Sequence, residues 1–314
     1  MNLIDLHCDT PYVLYNKNQH LDENTGHISL ERAKCLNHYA QVMAFYTSKK
    51  HNDETGFSLF HKRADYLNDE LHNLRAQVAP CTNAAMIKDA WENHKTAVLF
   101  AVEDARILAG NLERLTILYA RGVRFLTLVW GGTSCIGGAH DTQEGLTEFG
   151  KQVVKKCFAL GIVPDLSHAS DAVMDEVFRM AVDAGKPVMA THSNSRAVRH
   201  HMRNLTDAQF KTIKELGGIV GISYCTSHLT DTSKNTADLS TILAHMDHYL
   251  ELGGHDAVAL GGDFDGIETT PEGLDDLAHI LALESAMHEH GYSDELIEKI
   301  TYKNALQFFE KALS

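Results

Sequence analysis

The stretch Asn2-Leu-Ile-Asp-Leu-His-Cys-Asp9 decides the fold. It begins as a short apolar run, Leu3–Leu6, of the kind that forms a buried parallel strand. An open, doubly wound sheet usually follows its first strand with a glycine-rich turn. Here the run passes into His7, Cys8 and Asp9 instead. Seven further runs repeat the pattern: Gln41–Tyr46, Thr96–Val102, Arg124–Val129, Ile162–Leu166, Pro187–Ala190, Gly218–Ser223 and Ala257–Leu260. Amphipathic stretches of helical period lie between most of them: Phe57–Leu74, Leu112–Ala120, Leu146–Leu160, Asp171–Ala184, Asp207–Leu216 and Leu239–Leu252. Asp294–Leu313 reads as a closing helix. Eight strands alternating with helices predict an α/β fold, a (β/α)8 or TIM barrel, which typically takes about 250 residues. With no Gly-, Ser- or Pro-rich linker, residues 1–314 read as a single domain.

Composition removes several classes of function. The 42 acidic residues outnumber the 28 basic ones, for a net charge of −14. Nucleic-acid affinity and attraction to anionic membranes both rest on Lys and Arg, so no nucleic-acid or membrane partner is expected. No apolar run reaches the roughly 18 residues of a membrane span, and the N-terminus has no basic segment of a signal peptide. Six scattered cysteines without a CxxC pair read as reduced thiols of a cytoplasmic protein.

In a barrel the reactive groups sit at the C-terminal ends of the strands. The first run ends in His7 and Asp9, which share a face of an extended chain. Glu103 ends the third, His168 the fifth, His192 the sixth and Asp263 the eighth. Each alone has a plain structural reading. A single His is usually a hydrogen-bonded loop residue, Glu103 suits a helix start, and Asp263 beside glycines suits an Asx turn. Together they are three imidazoles and three carboxylates gathered into one ring. Imidazole suits zinc and similar divalent ions. Three His and one Asp make terminal ligands for two such ions, with Glu103 between them as a bridge. Such a site generates hydroxide at neutral pH and polarises a carbonyl.

In this order the motifs resemble the membrane dipeptidase family, the renal-dipeptidase-like metallopeptidases. They are Asp5-Leu-His-Cys-Asp-Thr-Pro11, Ala101-Val-Glu-Asp104, Asp165-Leu-Ser-His168, Thr191-His-Ser-Asn-Ser-Arg-Ala-Val198, Arg203-Asn-Leu-Thr-Asp207, Gly261-Gly-Asp-Phe-Asp-Gly-Ile267 and Pro271-Glu-Gly-Leu274. The resemblance implies a barrel of the metal-dependent hydrolase type with two zinc ions per chain. By resemblance His7 and Asp9 bind one metal, His168 and His192 the other, and Glu103 bridges. Asp263 is then the acid/base carboxylate, and Arg203 engages the substrate's terminal carboxylate. Without the resemblance Arg203 would read as a solvated charge. A chain ending Glu310-Lys-Ala-Leu-Ser314, with no hydrophobic tail, resembles the soluble bacterial members.

One departure from the family pattern stands out. Where the renal enzyme has a histidine after the fourth strand, this chain has Trp130. His140, ten residues on, is the candidate to replace it. The Gly-rich Thr133–Gly138 lacks the Lys of a phosphate loop and reads as an active-site loop. Tyr224 is open between pocket wall and core aromatic, and Cys8 is expected to face away from the metals as packing. The expected reaction is hydrolysis of a small dipeptide, with Asp263 moving the proton. Another barrel amidohydrolase (β-lactam, lactone, cyclic amide or deaminase chemistry) and a catalytically silent metal-binding barrel are the alternatives. The oligomeric state, a homodimer included, stays open.

Overall fold

The computed structural model describes residues 1–51, 54–231 and 237–313. The single-domain reading of residues 1–314 extends across 52–53, 232–236 and Ser314, which lie outside the described residues. Nine parallel strands form the sheet: β1 Asn2–Cys8, β2 His38–Tyr46, β3 Val78–Pro80, β4 Thr96–Glu103, β5 Val123–Thr127, β6 Val163–Asp165, β7 Met189–Ala190, β8 Ile219–Ile222 and β9 Val258–Leu260. Eight of them close a ring in the order β1-β2-β4-β5-β6-β7-β8-β9, and β9 returns to β1 through the pair Asp5 and Leu260. Helices separate most strands, so the fold is the expected (β/α)8 barrel.

Each ring strand overlaps one of the eight apolar runs. β3 is the addition. It pairs with Thr96–Val98 at the start of β4, on the side that β5 takes up from Phe100 onward. The sequence hides β3 because three residues ending in Pro80 carry no usable period. The helix Ala84–Glu92 that follows was likewise not expected.

Local chemistry sets the helix boundaries. Thr147, Ser170 and Thr206 each accept a backbone N–H of the first turn, and Gly161 and Gly185 end two helices in the left-handed conformation. The closing helix departs from its expected form. Asp294–Glu298 and Asn304–Ala312 are joined by a wide π-type turn, Lys299–Lys303. That turn buries Ile300 and Thr301 and lets the Asn304 amide donate to the carbonyls of His255 and Val258, both at 2.9 Å. Beyond it Phe308 and Phe309 join Ile4, Leu6 and Phe125 in a core within the barrel. This apolar plug fills the interior and leaves the C-terminal strand ends as the polar face.

Candidate metal centre and active site

The chain bends at the point where the first reactive side chains appear. Between Asp5 and Cys8 the pairing of β1 with β2 shifts register, a bulge that re-aims the strand end. Asp5 holds the bulge. Its Oδ1 accepts the His7 backbone N–H at 3.0 Å and the Gln41 amide at 3.2 Å, and its Oδ2 accepts the Gly262 N–H at 2.9 Å. Asp9 then begins the helix Thr10–Lys17. Cys8 is fully buried in the core outside the barrel, facing away as expected.

His7, Asp9, Glu103, His168, His192 and Asp263 all converge. Ligand-type atoms of His7, Asp9 and Glu103 lie within 4.8 Å of one another, as do those of Glu103, His168 and His192, and those of His7, His192 and Asp263. Glu103 Oε2 is 3.6 Å from His7 Nε2, while its Oε1 is 3.1 Å from His168 Nε2 and 3.5 Å from His192 Nε2. One carboxylate thus faces both halves of the cluster. The backbone is unusual at the same places. His168, Asp263 and Asp104 have φ of +69°, +62° and +78°, a region costly for side chains with a Cβ. Strain of this kind persists only where surrounding contacts impose it. At Asp263 the backbone N–H donates to the His7 carbonyl, and at Asp104 the carboxylate pairs with buried Arg106.

The electrostatics call for a cation. Burial pushes the carboxyls of Asp9, Glu103 and Asp263 above the usual range, and their mutual repulsion adds to the effect at Asp9 and Asp263. Burial, with Arg203 nearby, holds His168 and His192 below the usual imidazole range and so neutral, the form that binds metal. His7 Nε2 and Asp9 Oδ1 are buried without a hydrogen-bond partner. Unpaired buried atoms of this chemistry are what a divalent metal satisfies, and nitrogen with carboxylate oxygen fits zinc and its neighbours.

The pH dependence of the metal-free protein follows. A carboxyl whose folded pKa lies above its unfolded value contributes stability that is complete below the unfolded value, about 4, and is lost as pH rises through the folded value. The melting temperature of the metal-free protein is therefore expected to fall as pH rises toward the folded values of about 7 for Asp263 and about 8 for Glu103. The fall is cleanest above about pH 6.5, where the lowered imidazoles of His168 and His192 no longer offset the loss. Added divalent metal should abolish or reverse the fall, because metal binding selects deprotonated ligands. Parallel melting curves with chelator and with zinc check this, and a flat metal-free curve would contradict it.

The cluster floors a cavity of about 460 Å³. Asp9, Glu103, His168 and Asp263 line it, joined by Trp130 and His140. Trp130 stands edge-on to Tyr46 at 5.1 Å. The Gly-rich loop folds back through the bridge of Thr133 to Gly138 and brings His140 beside His168. The His140 N–H donates to the His168 carbonyl at 2.7 Å, and the rings are 5.6 Å apart. Burial, reinforced by Arg203, lowers His140 to about 4. Arg203 is 1% exposed, which rules out the solvated-charge reading. Its terminal nitrogens donate to Ser193 Oγ and the His192 carbonyl, both at 2.7 Å, and its Nε is left without a partner. Tyr224 requires a correction as a substrate-binding residue. It is fully buried against Phe264 and packed where Gly262 has no side chain; like Arg203 it is not part of the cavity wall, and unlike Arg203 its ring is packed among core aromatics.

Several residues that matter here were not singled out from sequence. Lys49, Cys225 and His228 line the cavity. Asp5 and Asp165 organise the strand ends. Their signal was present, since an acid inside an apolar strand is costly unless fully hydrogen-bonded.

A barrel with buried imidazoles and carboxylates gathered at its C-terminal strand ends defines the class of metal-dependent hydrolases. The membrane dipeptidase family, peptidase family M19, matches residues 1–313, and the chain belongs to that family. An uncharacterized protein of Klebsiella pneumoniae, from the pqqA 5′ region, is 33% identical over 237 residues, covering 72% of this chain and 86% of that protein. Among solved structures, dipeptidase AC superposes with a TM-score of 0.92 at 29% identity, over 100% of this chain and 99% of that one. A metallo peptidase from Rhodobacter sphaeroides, liganded with a phosphinate mimic of the dipeptide L-Ala-D-Ala, gives 0.91 at 29%, over 99% of both chains. These relatives support a metal-dependent dipeptidase. No helix among the described residues is long and apolar enough to cross a membrane.

Proposed function

We propose that the chain, acting as a single barrel domain, hydrolyses dipeptides with two divalent cations, zinc being the metal the donor set suits. The observation that carries this reading is Glu103, whose two oxygens face different members of the cluster and which belongs to two of the three ligand triads. His7 and Asp9 would hold one cation, His168 and His192 the other, with Glu103 shared. Cations there supply Lewis acidity and a water of lowered pKa. Asp263, on the cavity wall, accepts the proton of the attacking water and returns it to the leaving amine. His140 lies on the same wall as a hydrogen-bond donor for the scissile oxygen. A cavity of about 460 Å³ suits a small peptide.

The test is a dipeptide panel, with D- and L-residues at the C-terminal position, assayed with added zinc alongside elemental analysis. Turnover of dipeptides with about two metals per chain supports the reading. Metal uptake without turnover of any dipeptide favours the silent barrel, and turnover only of lactones or cyclic amides favours the other amidohydrolases.

Arg203 is proposed to read the substrate's terminal carboxylate through Nε, the one guanidinium nitrogen that makes no hydrogen bond. A hydrogen bond to a charged group is worth roughly 1.5–3 kcal/mol, which corresponds to about 10–150-fold. An amidated dipeptide should lose about this factor in kcat/KM. Arg203→Met should lose a similar factor on the free dipeptide and little more on the amide, since one contact is lost either way. Multiplying losses would show that Arg203 does not read the carboxylate.

A further inference from the structure

Behind the cluster, one hydroxyl sits where two of its imidazoles meet. Thr191 is 1% exposed. Its Oγ1 donates to Asp165 Oδ2 at 2.7 Å, lies 2.8 Å from His192 Nδ1 and lies 3.3 Å from His7 Nδ1. Asp165 is saturated. Its Oδ1 accepts the backbone N–H groups of Ser167 at 3.0 Å and Thr191 at 2.9 Å, and its Oδ2 accepts the hydroxyls of Thr127 at 2.6 Å and Thr191. The same carboxylate therefore holds both the main chain and the side chain of Thr191.

Donor counting then fixes the protons. A threonine hydroxyl has one hydrogen and two lone pairs. The hydrogen goes to Asp165, which only accepts, so any polar contact left to Thr191 Oγ1 must be a donor. His192 Nδ1, at 2.8 Å, must carry the ring proton. His7 Nδ1 has no other hydrogen-bond partner given by the structure, and protonation there leaves its Nε2 as a bare lone pair among the carboxylates. Ser167 Oγ, at 3.3 Å, is the one competitor for the second lone pair, and as a rotatable hydroxyl it has other orientations. His168 does not touch Thr191 and its Nδ1 has no partner, but its Nε2 lies 3.0 Å from His192 Nε2. With His192 protonated at Nδ1, it is His168 that donates from Nε2 across this pair in the metal-free protein.

We propose that Thr191, anchored by Asp165, is a positioning residue that sets the tautomer of His7 and His192 together, so that both present Nε2 as an acceptor toward the cluster. The inference rests on the two-cation reading, in which His7 and His192 serve different metals. One hydroxyl then prepares a ligand on each side of Glu103. Orienting partners of this kind typically contribute about 10–100-fold to metal affinity.

The test begins with the metal-free wild-type protein at pH 8. Long-range ¹H–¹⁵N correlation of the imidazoles reports which nitrogen holds the proton, with signals assigned by their loss in His7→Gln and His192→Gln. Both rings are expected as Nδ1–H, and an Nε2–H signal for either overturns the proposal without any Thr191 variant. Thr191→Val keeps the shape and removes the hydroxyl. It should release both rings to mixed tautomers and weaken zinc binding by about 10–100-fold in calorimetry, while Thr191→Ser restores both readings. Retention of the wild-type tautomers and affinity in Thr191→Val would overturn the role. Because the tautomers are read without metal or substrate, failure of the dipeptidase reading would appear separately, as a correct tautomer pair in a protein that hydrolyses no dipeptide.

Discussion

Asp263→Asn is expected to keep its metals and to lose about 10²–10⁴-fold in kcat, the usual contribution of a positioned acid/base. The substitution isolates proton transfer because it disturbs little else. Asp263 sits at φ +62°, and Asn is one of the few residues that accepts this left-handed backbone. The anchoring bond from its backbone N–H to the His7 carbonyl does not involve the side chain. The amide also keeps the size and shape of the carboxylate beside His7, whose Nε2 lies 3.9 Å from Asp263 Oδ1. Elemental analysis and steady-state kinetics at saturating metal are the measurements. Near-normal kcat would make Asp263 a turn residue and send the proton elsewhere.

Glu103→Ala is expected to abolish activity and lower metal content, because it removes the carboxylate facing both halves of the cluster. Full metal occupancy in that variant would refute the shared role. Glu103→Gln adds a second reading of opposite sign. Burial raises the Glu103 carboxyl, so in the metal-free protein at pH 8 its charged form costs stability. The neutral amide should therefore melt higher than wild type without metal, and lower than wild type with zinc present. Equal melting temperatures in both conditions would mean that Glu103 neither repels its neighbours nor serves a cation.

The ring was legible in the sequence because buried parallel strands are continuous apolar runs, and each of the eight marks a ring strand. The convergence of His7, Asp9, Glu103, His168, His192 and Asp263 was legible for a topological reason. A barrel brings its strand ends together whatever their separation in the chain. What escaped depended on neighbours that no local pattern specifies. β3 is three residues whose strand pairing is with Thr96–Val98. The wide turn Lys299–Lys303 exists so that Asn304 reaches two carbonyls from another segment. Asp165 and Thr191 lay inside quoted motifs, yet their bonds to Thr127 and to the two imidazoles cross between strands. Tyr224 was undecided for the same reason, since only the bare Gly262 beside it settles that its ring lies in the core.

Closure of the ring between its first and last strands bears on how the protein is made. A ribosome releases β1 first and β9 near the end, so for most of synthesis β1 has β2 as its only possible ring neighbour. Until residues 258–263 emerge, Asp5 lacks the Gly262 N–H and the His7 carbonyl lacks the Asp263 N–H. The nascent chain thus carries five of the six clustered residues but cannot seat the first two of them against the sixth. A cluster split across the seam in this way cannot be complete until the last strand has been made, and a chain that stops before it lacks Asp263 altogether.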